Sequence, residues 1–373
     1  MSQDTFSAAS PLNVIVAPGS PAEASARTQV GVPPRASEFP AVIAPGISPS
    51  PDHDLVFNGG KTIADLIFTN LYVGGTQAWQ AADIQQIDRA LSAAMSDVRL
   101  NNVMSQYYPG GSISSTFLPS QILPGTPPTV MSQADVEALI TRLYTQGTLP
   151  SVDLSHTVFN LLLPPGAVLN SDSTLTQPAP GGEADPPFGD IALTQTAASG
   201  DTGDTIGGGD NVDGFNPEGV SIAADSLNGL GGYHGSVHLS NAGGGQDTVY
   251  YAAGVYSQIL PDGSSNGIIA FDTPWKNVAA TFYHELNEAR TDPDVEDAIR
   301  AGNDPNAVKF LGWTSAQGEE CGDYPVFEAN PLSQVFQEVP LTDGSGTVPV
   351  QFQYSDAVHG PEGPIAAPDP YAG

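Results

Sequence analysis

Apolar residues recur along much of the chain at steps that predict regular elements. From Ala81 to Val98, Ile84, Ile87, Leu91 and Met95 follow one another at three- and four-residue intervals, the stripe of an amphipathic helix. Val136, Leu139, Ile140 and Leu143 form a second stripe; Ser132 followed by Asp135 has the form of a capping box ahead of it, and Gly147 ends it. Lys61 to Tyr72, with Ile63, Leu66, Ile67 and Leu71, reads as a further helix. Thr273-Pro274 opens another, since Pro is tolerated at the first helical position, and it runs to about Arg290 before Thr291-Asp292-Pro293 stops it. A shorter helix is expected from Val295 to Gly302. His156 to Leu163 and Thr248 to Ile259 are short runs rich in Val, Tyr, Phe and Leu bounded by Pro and Gly, which predicts strands, and Val348 to Tyr354 is a late strand candidate.

Other stretches carry no period. Residues 1–50 are rich in Pro, Ser and Ala without sustained steps of 2 or 3.6, and read as a disordered leader. Residues 51–330 are expected to form the folded domain, interrupted by a Gly- and Asp-rich loop at 171–232, and residues 331–373 to add a strand and a Pro-rich tail. The 41 glycines and 34 prolines among 373 residues agree with many turns and long loops. No apolar run reaches the roughly 18 residues that a spanning helix needs, so no membrane span is expected. The first base is Arg27 and the apolar run from Val14 to Ala17 is short, so no recognisable signal peptide is read.

Charge narrows the partners. Ten bases stand against 41 acids, a formal charge of -31, which repels a phosphate backbone or an anionic lipid surface; nucleic acid is excluded as a partner. The shortage of Lys and Arg would suit a protein living among trypsin-like proteases or at low pH. Cys321 is the only cysteine and has no internal disulfide partner.

The sharpest constellation is Tyr283-His284-Glu285-Leu286-Asn287-Glu288 inside the helix that Pro274 opens. An i, i+4 spacing puts His284 and Glu288 one turn apart on one face, where both reach a single cation, and Glu285 stands beside them as a general base for water. The zinc-protease motif His-Glu-x-x-His has Glu288 here in place of its second His. The same pattern also fits a polar helix face whose His and acids bond one another. A third ligand is expected from Gly318-Glu319-Glu320-Cys321-Gly322-Asp323: Glu320 first, with Asp323 either a ligand or the group that orients His284. Asp292 reads as a turn residue. In Tyr233-His234-Gly235-Ser236-Val237-His238, an extended backbone would put both imidazoles on one side, a pattern more often structural than metal-binding. Gly263-Ser264-Ser265-Asn266-Gly267 matches the hydrolase pattern G-x-S-x-G but is followed by strand-like residues, and reads as a hairpin turn. Asp201, Asp204, Asp210 and Asp213 suggest calcium without the ordered spacing of a calcium loop, and read as a flexible acidic loop.

Taken in order, Asn160-Leu-Leu-Leu-Pro-Pro-Gly166, Gly231-Gly-Tyr-His234, Val249-Tyr-Tyr-Ala-Ala253, His284-Glu-Leu-x-Glu-Ala289 with Thr291-Asp-Pro293, Trp313 and Gly318-x-Glu320-x-Gly-Asp323 resemble the exordium, or phosphate-induced protein, family and its bacterial relatives, over roughly Leu55 to Tyr354. The resemblance implies a zincin-like domain in which the His284 helix floors a cleft, in an extracellular or cell-surface protein. Family members usually carry a cysteine after the Glu-x-Gly-Asp segment; Tyr324 stands there, and Cys321 lies inside the segment. The expected fold is thus α+β, a mixed or antiparallel sheet packed on a metal-site helix. The expected function is a zinc-dependent peptidase acting on a peptide or protein substrate, with zinc, or alternatively calcium, held by His284, Glu288 and Glu320, with Asp323 as a further candidate. Glu285 would be the catalytic base. The competing expectation is a non-catalytic, metal-stabilised binding protein.

Overall fold

The computed structural model describes residues 43–108, 110–170, 225–241, 243–301 and 304–366. Its centre is a six-stranded sheet made of β1 (Asp65–Tyr72), β2 (Ser114–Phe117), β3 (Gln121–Ile122), β4 (Thr157–Leu162), β5 (Gly232–Ser240) and β6 (Gln246–Gly254). The strands run in the order β2-β1-β4-β6-β5, with β3 also paired to β1; every pairing is parallel except that of the outermost strand, β5, which lies antiparallel to β6. The described residues contain six α-helices: α1 (Ala81–Ser96), α2 (Val98–Ser105), α3 (Gln133–Thr145), α4 (Pro274–Thr291), α5 (Val295–Ala301) and α6 (Asp323–Glu328).

Alternation along the strands divides the core into two layers. Leu66, Phe68 and Tyr72 of β1, Val158 and Leu162 of β4, and Tyr250 and Ala252 of β6 pack with α1 and α4 on one face. Leu71, Phe159, Leu161, Tyr251 and Ala253 pack with Val136, Leu139, Ile140 and Leu143 of α3 on the other. The result is a mixed α/β fold with helices on both faces of a mixed sheet. Among the described residues, no helix is long and apolar enough to cross a membrane.

Most predicted elements are present, and the capping box forms as read, with Ser132 Oγ accepting from the Asp135 N–H and the Asp135 carboxylate accepting from the Ser132 N–H. Lys61 to Tyr72 is a correction: the helix expected there is strand β1. A central parallel strand is apolar on both faces, so its buried run of Leu66, Phe68, Leu71 and Tyr72 imitates a helical stripe. The late strand is broken at Phe352. Thr347–Gln351 (β8) pairs antiparallel with Phe336–Pro340 (β7), while Gln353–Ser355 pairs with Gly360–Glu362. The β7–β8 hairpin belongs to the main core, where Phe336, Val339, Val348 and Val350 join the α1 and α4 layer.

At the other end of the chain, residues 1–42 lie outside the described residues, yet Ile43, Ala44 and Ile47 of the expected leader are buried. The expected loop at 171–232 and the Pro-rich tail likewise fall outside the described residues at 171–224 and 367–373. Described residues of that loop are tied down: Asp225 bridges to Asn170, and Ser226 Oγ accepts from the Leu169 N–H.

Candidate metal centre

The 18-residue helix α4 carries the His-Glu motif across the α1 side of the sheet. Its start is fixed by Pro274 and by Asn277, whose Oδ1 accepts from the backbone N–H groups of Ala270 and Phe271 at 2.9 and 2.7 Å. Val278, Phe282, Leu286 and Ala289 bury in the apolar layer, as their spacing predicts. Thr281, His284, Glu285 and Glu288 point instead into a pocket walled by Gly231, Gly232, Ile268, Val326 and Phe336. Even there exposure is small: the side chains of Glu285 and Glu288 are 4% exposed and that of His284 15%.

Three other parts of the chain close on this face. The antiparallel register pairs His234 of β5 with Ala252, whose side chain lies in the α4 layer, so His234 turns toward α4. Its Nδ1 stands 3.6 Å from Glu285 Oε2 and 3.9 Å from Glu288 Oε2; its Nε2 donates to the Asp292 carbonyl at 3.1 Å and lies 3.5 Å from Glu320 Oε1. The loop before α6 brings Glu320, buried with Oε1 hydrogen-bonded to none of the described residues, and Gly322, whose N–H donates to Glu288 Oε1 at 3.0 Å. From β8 comes Gln351: its amide donates to the Gly322 carbonyl and its Oε1 accepts from His284 Nδ1, each at 2.6 Å. His284 Nε2 then faces Glu288 Oε2 at 2.9 Å.

Each predicted site residue can now be placed. His284, Glu285 and Glu288 form one group of ligand atoms lying within 4.8 Å of one another, and His234, Glu288 and Glu320 form a second, with Glu288 common to both. Asp323 is buried beside them, with Oδ2 accepting from the Glu320 N–H at 2.7 Å, so it shapes the loop that presents Glu320. Gln351 takes the part of orienting His284. Asp292 ends α4 as a turn residue; Oδ1 accepts from the Gly312 N–H, and Oδ2 is buried without a hydrogen bond to any described residue. His238 bonds Thr248 and Asp297 instead of joining the cluster. Residues 258–266 form the expected hairpin, and the acidic run from Asp201 to Asp213 lies outside the described residues.

Two residues matter more than the sequence suggested. His234 had a signal, being one of two histidines four apart in a chain with six. Gln351 had none.

Electrostatically the cluster is costly as it stands. Among the described residues, the ion pairs of Glu285, Glu288 and Glu320 involve only His234 and His284, with no Lys or Arg. Burial therefore pushes the Glu285 carboxyl up, and burial followed by repulsion from Glu288 holds Glu320 and Asp323 well above the usual carboxylate range. Burial likewise raises Asp292, to about 8. Burial by itself would depress His284, but Glu288 against Nε2, with Glu285 and Asp323 behind it, pushes that imidazole up to about 10. Burial of His234 is similarly outweighed, by Glu285 and Glu288.

Buried carboxylates without a fixed base are stabilised by a cation, and imidazole nitrogen beside carboxylate oxygen is a donor set that suits zinc better than calcium, which takes six to eight oxygens. The residues present thus fit a divalent metal. Comparison with models of known protein families, with curated proteins and with solved structures gives no match. The chemistry of this site rests on its own geometry.

Proposed function

We propose that this chain is a zinc-dependent peptidase whose centre is built on the His284 helix. The observation that carries the proposal is the convergence, in one pocket, of two histidines and three buried glutamates that pair with no lysine or arginine among the described residues. His284 and Glu288 would hold the metal together with a third ligand from the flanking elements, where both Glu320 and His234 reach the cluster. A bound zinc ion supplies Lewis acidity and makes water a nucleophile near neutral pH.

The remaining work falls to side chains. Glu285 accepts the proton that water gives up, and its upward shift by burial moves it toward the neutral range in which a general base works best. Glycine at position 232 keeps that carboxylate open to the pocket, because a Cβ there would stand 3.0 Å from Glu285 Oε1. Gln351 holds His284 in one tautomer.

Two features support a zincin-like domain: the sheet, parallel except for its outermost strand, and the His-Glu helix packed against that strand. The resemblance to the exordium family, and with it an extracellular or cell-surface setting, is part of this proposal; the scarcity of Lys and Arg suits such a place.

The test joins metal analysis to hydrolysis. Purified protein should contain one zinc per chain, lose it to a chelator, and cleave members of a broad peptide library; Glu285→Gln should keep the zinc and lose about 10²–10⁴-fold in turnover. Protein that binds no metal sinks the proposal. The near-complete burial of the glutamates favours one second reading, a closed structural metal site in a binding protein. Bound zinc with no hydrolysis by the wild type would select it.

A further inference from the structure

Near the end of α4, outside the metal centre, Arg290 is fully buried. Arginine keeps its proton even in such surroundings, so a positive charge sits inside the fold. The arginine ion pairs among the described residues all belong to Arg300. Nη2 of Arg290 donates to the Ser114 carbonyl and to Ser115 Oγ, each at 2.8 Å, while Nε and Nη1 hydrogen-bond to none of the described residues. A buried cation without an anion beside it is among the costliest arrangements a fold can hold.

The two serines that Arg290 bonds also wall a cavity of about 360 Å³. Its other wall is α2, whose Val98, Asn101, Asn102 and Ser105 follow at i, i+3, i+4 and i+7 and so share one face. No charged side chain lines it; the lining is hydroxyl, amide and a few aliphatic groups. Some of these donors are spent: Ser105 Oγ donates to the Asn102 carbonyl, the Asn102 amide to the Ile365 carbonyl, and Ser114 Oγ to Asp65. Three are not. The side chains of Asn101 and Ser112 hydrogen-bond to no described residue, and Ser115 Oγ, which accepts from Arg290, has its own proton to give. A hydroxyl that accepts from a guanidinium is polarised toward donating.

We infer that this cavity is a binding site for a small oxyanion, a carboxylate or a phosphate group, which takes hydrogen bonds from Ser115, Ser112 and Asn101 and balances the charge of Arg290 behind Ser115. Two carboxylates adjoin the cavity through their neighbours, and both are already answered. Asp97 accepts from the N–H groups of Arg99, Leu100 and Thr342; Asp65 is exposed, where water and salt screen it. The overall charge of -31 opposes the approach of an anion but is screened beyond about 8 Å at physiological salt, so the buried guanidinium decides. The site does not depend on the zinc reading above.

The experiment is calorimetric titration of the full-length protein with inorganic phosphate and, separately, with acetate. Chloride holds the ionic strength constant, and a chelator is present throughout so that no metal takes up the anion. At least one of the two should bind saturably within physiological ionic strength, about 0.15 M, and the tighter of them identifies the group the cavity prefers. Ser115→Ala should weaken that binding about 10–100-fold, the equivalent of one hydrogen bond to a charged group, and Ser115→Thr, which keeps the hydroxyl, should retain it. Arg290→Met should abolish it; if that variant does not fold, the two Ser115 variants decide. Binding that Ser115→Ala leaves unchanged overturns the inference, as does the absence of saturable binding by both anions.

Discussion

Replacing Gly322 by alanine should damage the centre without removing any functional group. Gly322 has an ordinary helical backbone, φ -96° and ψ -20°, so alanine meets no conformational penalty there. Space is the obstacle. A Cβ at this position would overlap His284 Nδ1 and stand 2.6 Å from His284 Cε1 and 2.8 Å from Glu288 Oε1. Carbon atoms in ordinary contact sit about 3.5–4.0 Å apart, so either the loop or the imidazole must retreat by roughly 1 Å.

Retreat of the loop stretches the bond from the Gly322 N–H to Glu288 Oε1, now 3.0 Å, a hydrogen bond to a charged group worth about 1.5–3 kcal/mol. Retreat of the ring breaks its bond to Gln351 and costs about 1–3 kcal/mol of overpacking. Either route should give a loss near 2–3 kcal/mol and, on the zinc-peptidase proposal, a fall in zinc affinity of about 10–100-fold and in turnover of about 10²-fold for a misplacement of this size. Urea unfolding and chelator competition read the first two. Gly243→Ala is the control, since the nearest atom to its Cβ is Asn241 Oδ1 at 3.5 Å. If Gly322→Ala matches Gly243→Ala in both measurements, the packing of this loop against His284 is not what holds the site.

Metal-free protein should lose stability as pH rises from about 4 to 10: burial raises Asp292 to about 8, and raises Glu285, Glu320 and Asp323 too, so each is most stable protonated, while the stabilisation from His284 is complete below about 6.5 and lost through about 10. Urea midpoints at pH 5, 7 and 9 after chelation check this; a midpoint that climbs with pH contradicts it. A chain beginning at residue 51 should unfold about 3–6 kcal/mol more readily than one beginning at residue 43, because Ile43 and Ile47 are buried, and equal midpoints would show that they add nothing. Ser132→Ala should cost about 1 kcal/mol through loss of the α3 cap, read from the same unfolding curves, with Ser132→Asp restoring most of it.

The parts of this molecule that could be read from sequence are those whose cause is local. Helix α4 was announced by Pro274 and by the spacing of Val278, Phe282, Leu286 and Ala289, and α3 by its capping box. The His284-Glu285-Glu288 face followed from helical geometry alone. Where the cause was distant, the reading failed. Strand β1 showed a helical stripe because helices cover both of its faces, a tertiary fact absent from the segment itself. Asp323 was a reasonable orienter for His284 by proximity in sequence to Glu320, but the bond is made by Gln351, which nothing in the local sequence marks. His234 depended on sheet register, the burial of Ile43 on its bridge to Glu362, and that of Ile47 on a core cluster assembled from distant parts of the chain.

Gln351 lies 67 positions beyond His284 in the chain. During synthesis the helix with its histidine and glutamates leaves the ribosome first, while the residue that locks the imidazole has still to be added. Until β8 arrives and closes on α4, Nδ1 has no fixed acceptor, and the ring is free to turn. At about 5–20 residues per second those 67 positions take roughly 3–13 s, during which the helix is present without its partner strand. The order of the chain thus delays the assembly of the centre: the imidazole on α4 acquires its fixed acceptor only after the strand that carries Gln351 has been synthesised and has paired with β7.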